Sequence, residues 1–361
     1  MADGAGGQAA RSQAAAAHSL AAMDSPLLTV PGAVRADFPD VGVAAHYGDP
    51  YAEQRALAET AGLVDRSDRD VLTISGPDRL SWLNSLSTQK VDDLPAGSAQ
   101  QSLILSPNGH VEHHLSLIDD GTQIWIHVEP GESALLLEFL DSMRFMMRVE
   151  AEDMSSGYAV LTAMGPLVKA GVVADGAAVT MDFGFGCDLI VERAQVAQVV
   201  ATQRLRGVGL AGMLAHEALR IAGHRARFGT DTDHRTIPHE MGWITSAVHL
   251  SKGCYRGQET VARVHNLGHP PRRLVMLHLD GSEDRLPPHG EPVRSGDTAV
   301  GFVGSAARHY ELGPIALALV KRSVPVTATL ETAGISAAQE VIVPPDAGAN
   351  VKISIGRRRT I

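Results

Sequence analysis

The stretch from residue 70 to residue 154 switches between strand-like and helix-like hydrophobic patterns, and this order constrains the fold more than any other feature of the sequence. Five runs rich in Val, Ile, Thr and Leu predict strands, and two stretches with leucines at helical spacing predict helices. Pro107-Asn108-Gly109 predicts a hairpin turn between the second and third strands. The resulting order, β-α-β-β-β-α-β, predicts an α+β module with a mostly antiparallel sheet.

Part of this pattern returns between residues 157 and 223. Gly165-Pro166 follows a predicted strand as Gly76-Pro77 does, and a further strand and two helices come after it, which indicates a second α+β unit. From residue 272 the helical period disappears and short strands alternate with Gly and Pro turns, which predicts a β-barrel or sandwich. The expected segments are a disordered leader at 1–34, two α+β subdomains within 35–268, and a C-terminal β-barrel domain at 269–361.

The composition is ordinary for a globular protein, with 44% hydrophobic and 20% charged residues. A formal net charge of −10 argues against a nucleic-acid partner, because phosphate binding needs a positive field. We interpret the basic tail Arg357-Arg358-Arg359 as a solvated terminus. No apolar run reaches the ~20 residues that span a bilayer, and the Ala-rich start lacks the basic residues of a secretory signal, so we expect no membrane partner.

Cys187 and Cys254 are the only cysteines in the chain. Two thiols cannot form a disulfide framework, so a reducing cytoplasm is the expected location. An iron–sulfur cluster usually takes four cysteine ligands, and a structural zinc ion usually takes four Cys or His ligands at tight spacing. Neither C-x-x-C nor H-E-x-x-H is present, so we predict no resident metal site.

The sequence KGCYRGQE at 252–259 surrounds one of these cysteines with charge and glycine. Thiolate is the reactive form of cysteine, and neighbouring cations stabilise it. In an extended segment Lys252, Cys254 and Arg256 would share one face, and the flanking glycines would let a ligand approach closely. The pattern is therefore consistent with a reactive thiol, and equally with a turn whose glycines serve only its geometry.

Three other polar patterns leave alternatives open. His110, Glu112 and His114 would share one strand face as a metal site, but no fourth ligand is suggested, so a half-exposed polar face is the preferred interpretation. The segment 227–243 is either a substrate-binding loop or a solvated turn. Cys187, which leads into an apolar strand, is interpreted as a structural thiol.

The sequence KGCYRGQE is similar to the signature of the YgfZ-type folate-binding proteins, which are relatives of the glycine-cleavage T-protein, an aminomethyltransferase, and include mitochondrial iron–sulfur assembly factors. The stretch AGLVDRSDRDVLTISGPDRLSWLNSLSTQKVDDLPAG also resembles the opening of the shared folate-binding domain. HEALRIAGHRARFGTDTDHRTIPHEMGW resembles the central stretch of that family, and the C-terminal region ending in GPIALALV resembles its barrel. The likeness covers roughly residues 40–330.

This resemblance implies a GcvT-like α+β fold of three domains around a central channel that holds tetrahydrofolate or a folate derivative. It argues against aminomethyl transfer, because His113-His114 stands where T-proteins carry an Asp pair, and a neutral imidazole cannot supply a fixed negative charge. In the loop where T-proteins carry a folate-gripping Glu, only Asp188 is acidic. Asp65-Arg66-Ser67-Asp68 likewise alters an early family pattern.

The same resemblance suggests site residues. Cys254 would be the reactive thiol, with Lys252 and Arg256 stabilising its thiolate. The residues that would contact folate are Arg220, Trp243, Tyr47, Tyr255 and Gln258.

Three functions follow from this reading. The first is a tetrahydrofolate-binding accessory factor for iron–sulfur cluster assembly or repair, with iron–sulfur client or assembly proteins as partners. The others are a folate-dependent one-carbon transferase of the aminomethyl type and a non-catalytic folate-binding scaffold.

Overall fold

A computed structural model describes residues 24–168, 176–282 and 285–349. The predicted tail at 357–359 and residues 1–23 of the predicted leader lie outside the described residues. The rest of that leader is folded: Pro26–Thr29 forms a 3₁₀ turn capped by Ser25, and Leu27 is buried in an apolar cluster with Leu63 and Leu161. The disordered leader predicted over 1–34 therefore extends too far, because Leu27 belongs to the hydrophobic core.

Helices and strands are numbered separately in chain order. The helices are α1 Pro50–Glu59, α2 Arg79–Leu86, α3 Ser133–Ser142, α4 Val196–Leu205, α5 Met213–Ala222 and α6 Gln258–Asn266. The strands before the barrel are β1 Val34–Arg35, β2 Ala44–His46, β3 Gly62–Arg66, β4 Asp70–Ser75, β5 Ala99–Leu105, β6 Val111–Asp119, β7 Gln123–Val128, β8 Glu150–Asp153, β9 Tyr158–Met164, β10 Ala177–Asp182, β11 Cys187–Glu192 and β12 Gly209–Ala211. The barrel strands are β13 Arg272–Leu279, β14 Pro292–Ser295, β15 Thr298–His309, β16 Gly313–Lys321, β17 Leu330–Thr332 and β18 Ile335–Val341.

The predicted β-α-β-β-β-α-β module forms one antiparallel sheet with the strand order β5-β6-β7-β4-β8. Its hairpin turns at Gly109, whose φ of 81° lies in the left-handed region that favours glycine. Helices α2 and α3 cover one face, where Trp82, Leu83 and Leu136 pack onto the apolar side of the strands. The α+β prediction for this region is confirmed.

A second five-stranded sheet has the order β10-β11-β9-β3-β12. Its interior strand β3 was not predicted, because five residues that include Asp65 and Arg66 show no clear alternation. β12 pairs with it in parallel, with Gly209 opposite Gly62. The first sheet, built from residues 70–153, is thus inserted into the chain between β3 and β9 of the second.

The two Gly-Pro positions behave alike in three dimensions. Gly76 has φ 103° and Gly165 has φ 115°. A Cβ on either glycine would overlap a backbone carbonyl oxygen, that of Arg148 in the first case and that of Thr60 in the second. The repeated dipeptide therefore marks the same close backbone approach in both sheets.

The C-terminal strands close into a six-stranded barrel with the order β13-β16-β15-β14-β17-β18. Alternation along β13 separates two cores. Val275 and Leu277 fill one cluster with other barrel residues, whereas Leu274 and Met276 join a second cluster that contains Trp243 and Tyr255. The predicted C-terminal β-barrel is confirmed, and one of its faces packs on the α+β region. None of the helices in the described ranges is long and apolar enough to cross a membrane.

Candidate functional site

A cavity of about 220 Å³ lies where the two sheets meet helix α5 and the loop that follows it. Both sheets contribute polar side chains to its wall, and the loop contributes aromatic ones. The lining side chains include Arg66, Arg69, His114, His127, Glu129, Phe185, Asp188, Arg220, His224, Arg225, Arg227 and Trp243. Of the predicted folate contacts, Arg220 and Trp243 line this cavity.

His127 and Asp188 form a buried pair in the wall. Arg69 Nε donates to His127 Nδ1 over 2.8 Å, so the ring proton of a neutral His127 lies on Nε2, which is 3.0 Å from Asp188 Oδ2. Burial, followed by the nearby Arg69 guanidinium, lowers the pKa of His127 to about 4, so the ring is neutral at pH 7.

Asp188 is the anionic member of this pair. Burial opposes its ionisation, but hydrogen bonds from His127 and from Thr162 Oγ1 (2.6 Å), together with the Arg66 charge, hold its pKa below the ordinary value. The cavity therefore contains a fixed carboxylate at neutral pH, positioned by β11 and supported from β7 and β9.

His114 and Trp243 form the aromatic part of the wall. Their ring centroids are 4.6 Å apart with a tilt of 50°, and burial lowers the pKa of His114 to about 4. His114 Nε2 is buried and has no hydrogen-bond partner among the described residues. The neutral imidazole expected at this position agrees with the geometry.

Arg227 connects three separate parts of the chain beneath the cavity. Its guanidinium lies 2.7 Å from Asp40 and 2.7 Å from Glu129, and 3.7 Å from Glu217. Glu129 also binds Arg69, at 2.5 Å. These charges are largely buried, so each cation compensates carboxylates that would otherwise be unpaired in a low dielectric.

Arg220, expected to anchor folate, also has protein partners. It binds Glu217 at 2.6 Å and Asp231 at 2.8 Å, and donates to Ser305 Oγ on barrel strand β15 over 2.8 Å. Its guanidinium thus connects helix α5 to the barrel. Arg220 faces the cavity, and a folate contact from it stays a prediction.

Tyr47 is not part of the cavity wall as the described residues define it. Its ring packs against the apolar cluster of the second sheet, near Leu63 and Leu161. Burial, followed by the charges of Asp65 and Glu53, raises the pKa of its hydroxyl. The suggested contact between Tyr47 and folate therefore has no support from its position.

The sequence KGCYRGQE lies outside the cavity wall. Lys252 is buried and donates to the carbonyl oxygens of Asn84 (2.5 Å), Ser87 (2.7 Å) and Gln89 (2.7 Å), where helix α2 ends. Burial lowers the pKa of Lys252 to about 8. Lys252 therefore ties this segment to the first sheet's helical layer, as lysines do at helix C-termini.

The next residues of the motif also make structural contacts. Tyr255 is buried in the cluster shared with the barrel, and Arg256 lies 2.6 Å from Glu112 of β6. Gln258 donates to the Lys252 carbonyl over 3.4 Å. Tyr255 and Gln258, which were expected to touch folate, line a separate depression of about 330 Å³ along α6.

Cys254 itself is exposed. Within the described chain, neither Lys252 nor Arg256 forms a hydrogen bond with its sulfur, because both cations are directed at other groups. Stabilisation of a Cys254 thiolate by these two residues stays a prediction without contact support. The contacts of Lys252, Tyr255 and Arg256 fix the segment, and the Cys254 thiol lies at the surface.

Gly257 provides a test of this structural role. Its φ is 82°, and an added Cβ would lie 2.6 Å from the Ser106 carbonyl oxygen in the β5–β6 hairpin. We expect Gly257→Ala to lower the free energy of unfolding by about 1–3 kcal/mol, measured by urea denaturation. Gly253→Ala is the matched control, because a Cβ there meets nothing within 4 Å, and equal effects of the two changes would contradict the prediction.

Two further sequence hypotheses concern polar segments. Within the described chain no group of three or more His, Cys, Asp or Glu residues is placed so that it could hold a metal ion, and the polar-face interpretation of His110, Glu112 and His114 stays a prediction. In the segment 227–243 the side chains of Asp231, Thr236, His239 and Glu240 are buried, so it is not a solvated turn.

Cys187 is half-buried at the start of β11. Burial, followed by the charges of Asp182 and Asp188, raises the pKa of its thiol to about 11. The structural interpretation of this thiol fits that environment, because a thiol with so high a pKa is almost entirely protonated and unreactive.

Among the residues of the cavity wall that sequence reasoning did not name as site residues are Arg66, Arg69, His127 and Glu129. They stand at or just beyond the ends of β3 and β7. A charged or imidazole side chain within a strand that is otherwise buried on both faces is a usable signal, because such groups need partners or a ligand.

Comparisons with known proteins agree with this architecture. The GCVT N-terminal domain matches residues 31–182, and the glycine cleavage T-protein C-terminal barrel domain matches residues 272–357. An aminomethyltransferase of Thermotoga sp. (strain RQ2) is 25% identical over 333 residues, covering 82% of this chain and 88% of the relative. An aminomethyltransferase of Streptomyces avermitilis is 25% identical over 321 residues, covering 80% and 86%.

The crystal structure of glycine cleavage system aminomethyltransferase T from Bartonella henselae superposes with a TM-score of 0.73 at 18% identity, covering 87% of this chain and 94% of that one. At this identity the superposition establishes the fold alone. With both characteristic domains in the expected order, the chain belongs to the GcvT-like superfamily.

Proposed function

We propose that this protein is a YgfZ-type, tetrahydrofolate-binding accessory factor for the assembly or repair of iron–sulfur clusters in client enzymes, with Cys254 as its working thiol. The observation that carries the proposal is the difference between Cys254 and its neighbours in KGCYRGQE. Lys252, Tyr255 and Arg256 each hold the segment against another part of the protein, whereas Cys254 is exposed. A short segment anchored this firmly around one exposed thiol is suited to presenting that thiol to a partner protein.

The cavity supports the folate part of the proposal. A reduced pterin is a flat ring with several N–H groups, and such a ring needs an acceptor and an aromatic neighbour. Asp188 supplies a carboxylate that is ionised at pH 7, and Trp243 supplies an aromatic side chain. Asp188, His114 and Trp243 are the residues we assign to the pterin.

The choice of an accessory factor over an aminomethyltransferase depends on His113-His114. The carboxylate pair expected in T-proteins is absent at these positions, and His114 is neutral at pH 7. The scarcity of cysteine fits a protein that acts on clusters bound elsewhere, and it fits a reducing cytoplasm.

A one-carbon transferase is the second candidate, because Asp188 places a fixed carboxylate in the cavity that could serve in place of the missing pair. Incubation with tetrahydrofolate and an aminomethyl or N-methyl donor separates the two functions. Robust formation of methylene-tetrahydrofolate would support the transferase and overturn the proposal.

Folate binding is tested at Asp188. We expect Asp188→Asn to weaken tetrahydrofolate binding about tenfold, because an amide cannot replace a charge-assisted acceptor, whose loss costs about 1.4 kcal/mol or more. Isothermal titration measures the effect, and Asp182→Asn on the neighbouring strand is the control, since Asp182 is exposed. Unchanged affinity in a folded Asp188→Asn protein would remove the assigned pterin contact.

A further inference from the structure

The loop between α3 and β8 exposes two large apolar side chains. Phe145 is 82% exposed and Met146 is 96% exposed, so neither contributes to the hydrophobic core. Phe145 also has φ 46°, a left-handed backbone conformation that is strained for a bulky residue. The loop thus keeps an apolar pair in solvent on a strained backbone, and the stability of the fold gives no reason for this arrangement.

Both ends of this loop are fixed to the helical layer of the first sheet. Trp82 Nε1 donates to the Met143 carbonyl over 3.0 Å, and the Arg148 guanidinium lies 2.7 Å from Asp78. Met143 and Met147, on either side of the exposed pair, pack partly against the core of the first sheet. The exposed pair is therefore held in place among methionines, whose flexible side chains suit a surface that adapts to a partner.

The loop leads into β8, which is an edge strand. β8 pairs with β4, and no other strand of the described ranges pairs with its outer side. An edge strand directs every second N–H and C=O group away from its sheet. Glu150, Glu152 and Asp153 are exposed on β8, and the described chain places no cation in an ion pair with either glutamate. Hydrogen-bonding backbone and negative charge therefore lie beside the apolar loop.

These charges distinguish between possible occupants. If β8 paired antiparallel with β8 of a second copy, an acidic strand would lie against an acidic strand, and like charges directly opposite are destabilising. The complement is an extended segment in which lysine or arginine alternates with large apolar residues, because successive side chains of a strand point to opposite faces. Backbone hydrogen bonds to β8 would supply affinity, and the two kinds of side chain would supply selectivity.

We propose that β8 and the loop 143–147 form a docking site for an extended, basic and apolar segment of a partner protein, which adds a strand to the first sheet. No residue of this loop or of β8 lines the cavity between the two sheets. The proposal is therefore independent of the proposed folate function and of the role of Cys254.

The experiment uses a short peptide with blocked ends in which lysine alternates with leucine. Isothermal titration compares its binding to the wild type and to two double variants, Phe145→Ser with Met146→Ser and Glu150→Lys with Glu152→Lys. We expect each double variant to weaken binding about tenfold, because the first removes the apolar contact and the second reverses the charge. All four side chains are exposed, so both variants should fold as the wild type does.

Matched controls separate this site from general attraction to an acidic protein. Leu205→Ser removes an apolar side chain that is 91% exposed on α4. Glu59→Lys with Glu192→Lys changes the net charge as much as the β8 variant does, at exposed positions elsewhere. We expect both controls to bind the peptide as the wild type does. A peptide with glutamate in place of lysine, and a lysine–leucine peptide with N-methylated backbone amides, should bind the wild type at least about tenfold more weakly.

Several results would overturn the docking site. The first is a wild type that does not bind the lysine–leucine peptide, and the second is an equal loss of affinity in the control variants. Equal binding of the N-methylated peptide would exclude the added strand. If sedimentation velocity showed a wild-type dimer that separates in Phe145→Ser with Met146→Ser, the occupant would be a second copy instead of a basic partner.

Discussion

Replacing Arg227 by alanine is expected to lower the free energy of unfolding by about 3–5 kcal/mol at pH 7, a large part of the 5–15 kcal/mol typical of a whole domain. The side chain is 6% exposed and lies within 4 Å of the carboxylates of Asp40, Glu129 and Glu217. Its removal leaves these acids buried near one another with too few cations. Urea denaturation followed by far-ultraviolet circular dichroism measures the loss.

The matched control is Arg35→Ala, which removes an ion pair with Asp24 whose members are 51% and 59% exposed. Ion pairs this exposed contribute little to stability, so this variant should be close to the wild type. A loss of less than about 1 kcal/mol in Arg227→Ala would mean that the acids find other partners and that the network is not a main source of stability.

The stability lost in Arg227→Ala is expected to depend on pH. Burial opposes ionisation of Glu129, but Arg227 and Arg69 hold its pKa below the ordinary value. A carboxylate with a depressed folded-state pKa contributes stability above its unfolded pKa of about 4.3 and loses that contribution as the pH falls. The stability difference between wild type and Arg227→Ala should therefore shrink below about pH 4, and a difference that grows with acid would contradict this assignment of charges.

Replacing Cys254 by serine is expected to abolish the proposed support of iron–sulfur cluster assembly or repair, while leaving the fold and the folate affinity unchanged. In cells that lack the protein, the Cys254→Ser variant should leave iron–sulfur enzymes at the activity of the deletion strain, whereas the wild type restores them. The physical reason is that serine keeps the size and hydrogen bonding of the residue but cannot act as a thiolate at neutral pH.

Cys187→Ser is the control within the same chain. Its thiol has a pKa of about 11, so on the order of one molecule in ten thousand is thiolate at pH 7, and we expect this variant to restore the enzymes fully. Restoration by Cys254→Ser would exclude a working thiol. If Cys254→Ser restored the iron–sulfur enzymes and Asp188→Asn did not, the remaining function would be that of a folate-binding scaffold.

The fold was largely predictable because most of its strands and helices show their hydrophobic periodicity within their own residues. The runs that became β4–β8, α2 and α3 carry their own pattern, and so do the barrel strands. Strand β3 has no such pattern. Its place in the interior of a sheet depends on pairing with β9, about a hundred residues later, and with β12, later still.

The candidate site was predictable only in part. Trp243 and Arg220 reach the cavity, but Lys252 does not interact with the thiol beside it in sequence, because carbonyl oxygens about 165 residues earlier attract its ammonium. Likewise Tyr47 turns into an apolar cluster built from β3, β9 and β11. The partner of a long polar side chain depends on the folded structure, so it cannot be read from a short stretch of sequence.

The insertion of one sheet into the chain of the other sets an order of events during synthesis. Residues 70–153 contain all five strands of their sheet, so this module can fold as soon as it leaves the ribosome. Strand β3 is made earlier, yet its neighbours on both sides come after that module, at residues 158–164 and 209–211. A nascent chain that ends before residue 211 therefore carries an open sheet edge, and we expect it to be the form most prone to aggregation.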